Sequence, residues 1–155
     1  MIPVKVKLNG GMMPEKKHDG DAAFDLYVPE DVEVTYGRQI VNMKFAIELP
    51  KGKAAIIKPR SGCSSKGIEV FNDKGESVFI DADVKIGLVD SNYRGNVGTI
   101  LQVRDERVLI GSWYFKKGSR ISQMRIVDVP EIELVEADAL SEAERNGGFG
   151  STGQR

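Results

Sequence analysis

Residues 58–66, with the sequence KPRSGCSSK, combine a proline at a strand end with an arginine and a serine before a short helix. We predict this helix over residues 61–66. Arg60 offers a planar fork of donors, Ser61 offers a hydroxyl, and the first amides of a helix are free to meet an anion. The pattern is typical of a phosphate site, and equally typical of a capped turn with a solvated arginine.

Residues 86–95, with the sequence IGLVDSNYRG, place a carboxylate directly after an apolar strand. The chain then turns through polar residues, and we expect it to return as a strand over residues 98–103. A carboxylate at a strand end can hold and orient a water molecule as a general base. The alternative is that Asp90 only forms the turn, beside Asn92.

Residues 116–125, with the sequence KKGSRISQMR, lead from a turn into an alternating strand. Gln123 shares the side of Ile121, so a partly buried amide there needs a partner. The alternative is an edge strand whose charges discourage aggregation. The remaining polar residues of the strand are expected to be exposed to varying degrees: Arg120, Ser122 and Arg125.

Residues 21–27, with the sequence DAAFDLY, carry a carboxylate inside an apolar stretch. Asp25 stands between Phe24 and Leu26. A carboxylate in that setting usually pairs with an arginine or with turn amides, so we predict a structural role for it.

Residues 146–155 read NGGFGSTGQR and lack any core-forming pattern. A disordered tail is one interpretation, because glycine-rich termini are rarely ordered. Phe149 favours another, since a spacer needs no aromatic ring. Glycine amides and hydroxyls approach phosphates closely, so the segment could be an arm that closes over an anionic, ring-bearing ligand.

The remaining chain reads as many short strands separated by turn signals such as residues 9–11, 50–52 and 72–75. Such spacing predicts an all-β sandwich, jelly roll or barrel. A second short helix is possible over residues 137–144. Strands are expected over residues 4–8, 32–34, 45–49, 54–58, 78–80, 98–103, 121–127 and 132–135.

Composition narrows the possible functions. The 155 residues fit one domain, and 22 basic against 23 acidic side chains leave a net charge of −1, which disfavours stable nucleic-acid binding. One cysteine, Cys63, and one histidine, His18, cannot form a disulfide or a Cys/His zinc site. No apolar run is long enough to span a membrane. We therefore expect a soluble, cytoplasmic protein.

Taken in order, five segments resemble the five motifs of the trimeric all-β dUTP pyrophosphatases, the dUTPases. They are AAFDL, PRSG, GLVDSNYRG, GSRISQM and RNGGFGSTG, and together they run from Ala22 to Gly153. The resemblance implies a jelly-roll-like β-clip subunit and a homotrimer with three sites at subunit interfaces. It also implies one domain over residues 1–145 and a flexible arm over residues 146–155 that closes over a neighbouring site.

The same resemblance implies hydrolysis of dUTP to dUMP and pyrophosphate, with Asp90 activating the attacking water. Tyr93 matches the ring that packs under deoxyribose and excludes a 2′-hydroxyl. Mg²⁺ would be held by triphosphate oxygens and waters, without direct protein ligands. The other substrate-binding positions implied are Arg60, Ser61, Gly62, Gly87, Leu88, Val89, Gly98, Gln123, Arg145, Phe149, Gly150, Ser151 and Thr152.

Residues 71–84 read as an extra hairpin, which resembles some phage and bacterial members and could be a surface for a protein partner. Asp81 and Asp83 in this segment are alternative bases, although only Asp90 is followed by SNYRG. Three other functions remain open. They are a dCTP deaminase-type enzyme, possibly bifunctional, a phage-type regulatory interaction protein, and an assembly module such as a viral jelly-roll head protein.

Overall fold

A computed structural model describes residues 1–145, 147–150 and 153 of the chain. This part of the chain is almost entirely β-structure, as predicted, and its helix α1 (Ser61–Lys66) has the predicted bounds. The strands are β1 (Lys5–Leu8), β2 (Phe24–Tyr27), β3 (Val32–Glu33), β4 (Gly37–Asn42), β5 (Phe45–Glu48), β6 (Lys53–Lys58), β7 (Ile68–Phe71), β8 (Ser77–Ile80), β9 (Ala82–Val84), β10 (Gly87–Val89), β11 (Gly98–Val103), β12 (Tyr114–Phe115) and β13 (Arg120–Asp128).

One four-stranded sheet, in the order β10-β6-β13-β2, brings distant segments together. In it Gln123 lies opposite both Lys58 and Asp25, so residues from three separate motifs share one stretch of sheet. Alternation gives this sheet one face against the core, where Leu26, Ile57 and Met124 are buried, and one face with polar side chains.

A second sheet, in the order β4-β11-β9, packs against the same core through residues such as Val41, Leu101 and Val103. Strands β10 and β11 therefore belong to different sheets, and the Asp90 turn bridges them. The two sheets meet at a buried hydrogen bond of 2.7 Å between the hydroxyls of Thr99 and Ser122. Ser122 is fully buried, so its expected partial exposure was wrong. A register shift between Arg120 and Ser122 breaks the alternation used for that prediction.

The extra hairpin exists, but with other bounds. β7 pairs with β8 around a turn at residues 72–76 in which the Asn72 carboxamide oxygen accepts the amides of Lys74 and Glu76, each at 3.0 Å. β9 leaves the hairpin and pairs with β11. Residues 71–84 are therefore parts of two different sheets, because Ala82 and Val84 turn inward to the core.

The chain after β13 differs from the prediction. Residues 132–135 do not form a strand and residues 137–144 do not form a helix. A strand needs a partner, and within the described chain this stretch has none. A short helix needs a face to bury, yet Leu140 is 91% exposed. No helix among the described residues is long and apolar enough to cross a membrane.

Candidate active site

Asp25 is the centre of an ion-paired cluster. Its carboxylate oxygens accept hydrogen bonds from Arg60 Nε at 2.9 Å and from an Arg120 Nη at 3.1 Å. The side chain of Asp25 is only 15% exposed, and both arginines are partly buried. The predicted arginine partner is therefore confirmed, and the pairing fixes two guanidinium groups side by side. We call these three residues the phosphate cluster.

The phosphate cluster opens onto a cavity of about 320 Å³. Five cationic side chains and two carboxylates line it, so the local charge is positive although the chain as a whole is nearly neutral. Gln123 also faces the cavity, and its Nε2 donates to the Pro59 carbonyl at 3.0 Å, which supplies the partner that the sequence required. The charged lining residues are Lys17, Lys58, Arg60, Arg120 and Arg125, with Asp21 and Asp25.

Sequence reasoning missed Lys17, Lys58 and Arg120 as cavity residues. Arg120 could have been found from the expectation that Asp25 pairs with an arginine. The chain contains several arginines, however, and the sequence does not indicate which of them is the partner. Lys58 faces the cavity because it pairs with Gln123 across two strands, and cross-strand partners lie on one face of a sheet.

Helix α1 carries Ser61 and Gly62 into the rim of this region, and both are exposed. Arg60 precedes the helix without capping it, because its side chain is bound to Asp25 instead. Cys63 lies behind them with its thiol 3.9 Å from the Arg120 carbonyl, and burial raises the pKa of that thiol. The helix start is thus open to solvent, while the raised pKa disfavours the thiolate form of Cys63.

The turn from Asp90 to Asn96, here called the carboxylate turn, is closed by hydrogen bonds among its own residues, and Asn96 and Arg94 also tie it to Asn9 and Glu48. The Tyr93 amide donates to the Asp90 carbonyl at 3.1 Å, and the Tyr93 hydroxyl donates to the Asn96 carbonyl at 3.0 Å. An Arg94 Nη donates to the carbonyls of Ser91 at 2.6 Å and of Tyr93 at 3.1 Å. The Asp90 carboxylate and the Tyr93 ring are both exposed, so they are accessible to a ligand.

Backbone groups flank this turn on both sides. β10, with Gly87, Leu88 and Val89, is an edge strand of its sheet, and within the described part of the chain it pairs with β6 and leaves its other edge open. Gly98 begins β11, and a Cβ at that position would stand 3.1 Å from the side chain of Ile40. Unpaired amides and carbonyls of an edge strand are suited to reading the edge of a base.

The carboxylate turn and the phosphate cluster of one chain lie far apart. Val89 pairs with Ala55, near one end of β6, whereas Arg60 follows the other end of that strand. Asp90 therefore lies level with Ala54, six residues from Arg60, which is about 20 Å at the rise of a strand. A single phosphate cannot contact both.

The alternative bases are occupied. Arg104 forms ion pairs with Asp81 at 3.3 Å and with Asp83. These two ion pairs join the β9 segment to the end of β11.

The predicted arm residues are only partly covered by the structure. Arg145 is exposed, and so is Phe149, whose ring packs against no other part of the described chain. Gly150 has a φ of +72°, which glycine adopts without strain. Ser151 and Thr152 lie outside the described residues.

An all-β chain with a cationic cavity and a separate exposed carboxylate has features suited to hydrolysing a phosphoanhydride bond. The dUTPase family model matches residues 10–153, and the chain belongs to the dUTPase family.

Individual relatives agree with this assignment. The deoxyuridine 5′-triphosphate nucleotidohydrolase of Hydrogenobaculum sp. (strain Y04AAS1) is 38% identical, over 98% of this chain and 97% of the relative. That of Clostridium tetani (strain Massachusetts / E88) is 33% identical, over 99% and 97%. Among solved structures, the dUTPase of Staphylococcus bacteriophage 80alpha with dUpNHpp superposes with a TM-score of 0.80 at 26% identity, covering 99% of both chains.

Proposed function

We propose that this protein hydrolyses dUTP to dUMP and pyrophosphate, using Asp90 as the general base. The observation that carries the proposal is that one chain has both a cationic cavity, built by three separate motifs, and an exposed carboxylate on a hydrogen-bonded turn. The relatives named above are nucleotidohydrolases that act on deoxyuridine triphosphate, and they match this chain over nearly its whole length.

In the proposed reaction, Asp90 accepts a proton from a water molecule as the water oxygen attacks the α-phosphorus. The bond from that phosphorus to the bridging oxygen breaks, and pyrophosphate leaves with the electron pair. Negative charge develops on the phosphate oxygens, so fixed cations nearby lower the barrier. Arg60 and Arg120 are pre-oriented for this by Asp25, and Ser61, Gly62 and Gln123 add donors at the rim.

The base and the sugar are proposed to meet the carboxylate turn. Open backbone groups of Gly87, Leu88 and Val89, with Gly98 opposite, would read the uracil edge and leave no space for a 5-methyl group. Tyr93 would lie against the deoxyribose ring, where a 2′-hydroxyl would collide with it.

The residues around the cavity fit Mg²⁺ only as a partner of the triphosphate. No group of three metal-binding side chains exists among the described residues. Mg²⁺ retains several waters and accepts phosphate oxygens, and Asp21 and Asp25 are the carboxylates positioned to accept hydrogen bonds from those waters. When bound, the ion would neutralise charge on the leaving pyrophosphate.

We further propose that the active form is a homotrimer whose sites are shared between subunits. The separation of about 20 Å within one chain supports this, because Asp90 of one copy would then serve the phosphate cluster of another. Exposed apolar side chains support assembly, because Ile86 and Leu88 beside the carboxylate turn are 75% and 66% exposed.

The C-terminal segment completes the proposal. Residues 1–145 would form the domain, and residues 146–155 an arm that reaches a neighbouring site. Phe149 would cover the uracil, while Arg145, Gly150, Ser151 and Thr152 would approach the outer phosphates. A reducing, cytoplasmic location fits the single cysteine.

The test is pyrophosphate release with Mg²⁺ from dUTP, dTTP, dCTP and UTP, for the wild type and Asp90→Asn. We expect release from dUTP alone and a fall of about 10²- to 10⁴-fold in kcat for the variant. Release from dCTP, or equal turnover by the variant, would contradict the proposal.

Shared sites are tested by mixing two inactive variants, Arg60→Gln and Asp90→Asn, through co-expression. If each site takes Arg60 from one subunit and Asp90 from another, equal mixing restores about one quarter of wild-type activity, because both halves are intact in one site of four. Mixtures with no activity would show that both residues act from the same chain.

A second role is favoured by the hairpin β7–β8. Phe79 on its outer face is exposed, and Phe71 lies 5.6 Å from the Lys116 ammonium on the same face. We propose this face as the contact for a protein partner. The bacteriophage 80alpha relative belongs to phage dUTPases that control transfer of virulence genes. Phe79→Ser should abolish partner binding and leave dUTP turnover unchanged, and loss of both together would place the hairpin in catalysis.

A further inference from the structure

A side chain at Gly95 would clash with the ring of Tyr93, which occupies the space next to the Gly95 Cα. A Cβ built on Gly95 would stand 2.7 Å from Tyr93 Cζ and 3.1 Å from its Cε1, and closer still to its hydroxyl oxygen. Ordinary contacts begin at 3.4 Å. The hydroxyl end of the Tyr93 ring therefore packs against the bare backbone of Gly95, two residues along the chain.

The backbone itself does not require glycine at this position. Gly95 is absent from the glycines with positive φ among the described residues, unlike Gly75 in the β7–β8 turn, at +78°. Gly67 also differs, because a Cβ there would strike the backbone of Ile80. At Gly95 the conflict is with the movable end of one side chain, so an alanine would leave the fold intact and displace the Tyr93 ring.

The ring is held in its position from the other side as well. Its hydroxyl donates to the Asn96 carbonyl at 3.0 Å. Asn96 is in turn fixed through its side chain, whose Oδ1 accepts from Asn9 Nδ2 at 2.8 Å. The Asn9 amide is anchored on the Lys44 carbonyl at 2.9 Å. A ring displaced from Gly95 cannot keep this hydrogen bond and its packing together.

We propose that Gly95 is a positioning residue for sugar selectivity: its missing side chain lets Tyr93 lie where it excludes a 2′-hydroxyl. This rests on the proposed function, in which Tyr93 faces the deoxyribose. Restoring an ordinary contact would move the ring Cζ from 2.7 to 3.4 Å, a shift of about 0.7 Å, and this would open the space that a ribose needs. The same shift would weaken packing on deoxyribose. The selectivity should therefore fall because kcat/KM for dUTP decreases while kcat/KM for UTP increases.

The experiment compares kcat/KM for dUTP and UTP in the wild type, Gly95→Ala and a matched control, Gly20→Ala. Gly20 is exposed, has an ordinary φ and has nothing within 4 Å of an added Cβ. For Gly95→Ala we expect the ratio of dUTP to UTP to fall by about tenfold. The control should keep the wild-type ratio, and thermal melting should show both variants folded. An unchanged ratio in folded Gly95→Ala would overturn the inference.

A double-mutant cycle separates positioning from a general loss of activity. Tyr93→Ala alone should lose the selectivity, and adding Gly95→Ala to it should change the ratio no further, because the glycine acts only through the ring. Additive losses would overturn the inference. A wild-type protein that releases no pyrophosphate from dUTP would instead overturn the proposed function, and the inference with it.

Discussion

The phosphate cluster joins three segments that are far apart in the sequence, two strands and the residue before helix α1, whereas the hydrogen bonds that close the carboxylate turn join neighbouring residues. Asp25 is 35 positions from Arg60 and 95 from Arg120. In the carboxylate turn the hydrogen bonds of Tyr93 and Arg94 span three residues or fewer, and the long-range contact of Arg94 is an ion pair with Glu48 at 3.5 Å between largely exposed side chains. The first region is partly buried, and the second is exposed.

This difference implies that the phosphate cluster contributes to folding stability as well as to the site, whereas the carboxylate turn contributes mainly to catalysis. Charges in the phosphate cluster are held in place by one another, so removing one leaves partly buried cations without a partner. In the carboxylate turn an exposed side chain can change without disturbing the fold. Substitutions in the two regions should therefore differ in what they damage, even when both reduce turnover.

Asp25→Asn should destabilise the protein most, because it leaves Arg60 and Arg120 facing each other without a carboxylate. We expect a loss of about 2 kcal/mol in the free energy of unfolding, less than for a fully buried pair. Denaturant unfolding at one fixed protein concentration measures it, since assembly also contributes to stability. Substrate KM should rise in the same variant.

Asp90→Asn is the matched control, because it makes the same chemical change in the carboxylate turn. Its unfolding free energy should stay within about 0.5 kcal/mol of the wild type, as for an ordinary surface substitution. If the two variants are equally destabilised, the contrast between the regions is wrong.

Thr99→Val tests the polar link between the two sheets that carry these regions. The substitution keeps the shape of the side chain but leaves the buried Ser122 hydroxyl without its 2.7 Å partner. We expect a loss of about 1.5 kcal/mol in unfolding free energy. Adding Ser122→Ala should restore most of it, because both polar groups are then gone. A double variant as unstable as the sum of the two single variants would show that cavity formation, not the hydrogen bond, determines the loss.

Much of the fold could be predicted from the sequence because alternation and turn residues act locally. Residues 98–103 and 61–66 have the predicted bounds. Prediction failed where the outcome depends on a partner. Residues 132–135 alternate as a strand does, but pattern alone does not provide the second strand that pairing needs. Residues 82–84 were assigned to the hairpin because adjacency in sequence does not reveal which sheet a strand joins.

In the site, too, the features set by local sequence could be predicted and those set by strand pairing could not. The need for partners at Asp25 and Gln123 followed from polar groups within apolar strands, and both partners are present. The choice of Arg120 as the second arginine, and the contribution of Lys58, depend on strand register, which no local pattern specifies. The distance between Asp90 and Arg60 is likewise a property of the sheet.

Asp105→Asn should lose less stability than Asp25→Asn or Thr99→Val, because it removes an ion pair as local as the carboxylate turn, although one that is less exposed. Asp105 accepts hydrogen bonds from Arg107 Nε at 2.9 Å and an Nη at 2.7 Å, and these, with the Arg107 charge, lower the pKa of the carboxyl from 3.8 to about 2. A lowered folded-state pKa stabilises the protein above pH 4, and this stabilisation is lost as the pH falls from about 4 to about 2. Because Arg107 is half exposed, we expect only about 1 kcal/mol at pH 6.

Unfolding free energies at pH 6 and pH 2 provide the measurement. The wild type should exceed Asp105→Asn at pH 6, and the difference should shrink to a small remainder at pH 2, where the folded-state carboxyl is about half protonated. Glu106→Gln removes a charge one residue away and should show no such convergence. If Asp105→Asn matches the wild type at both pH values, a local ion pair in this chain adds no stability, and long-range pairs such as those of Asp25 are the ones that matter.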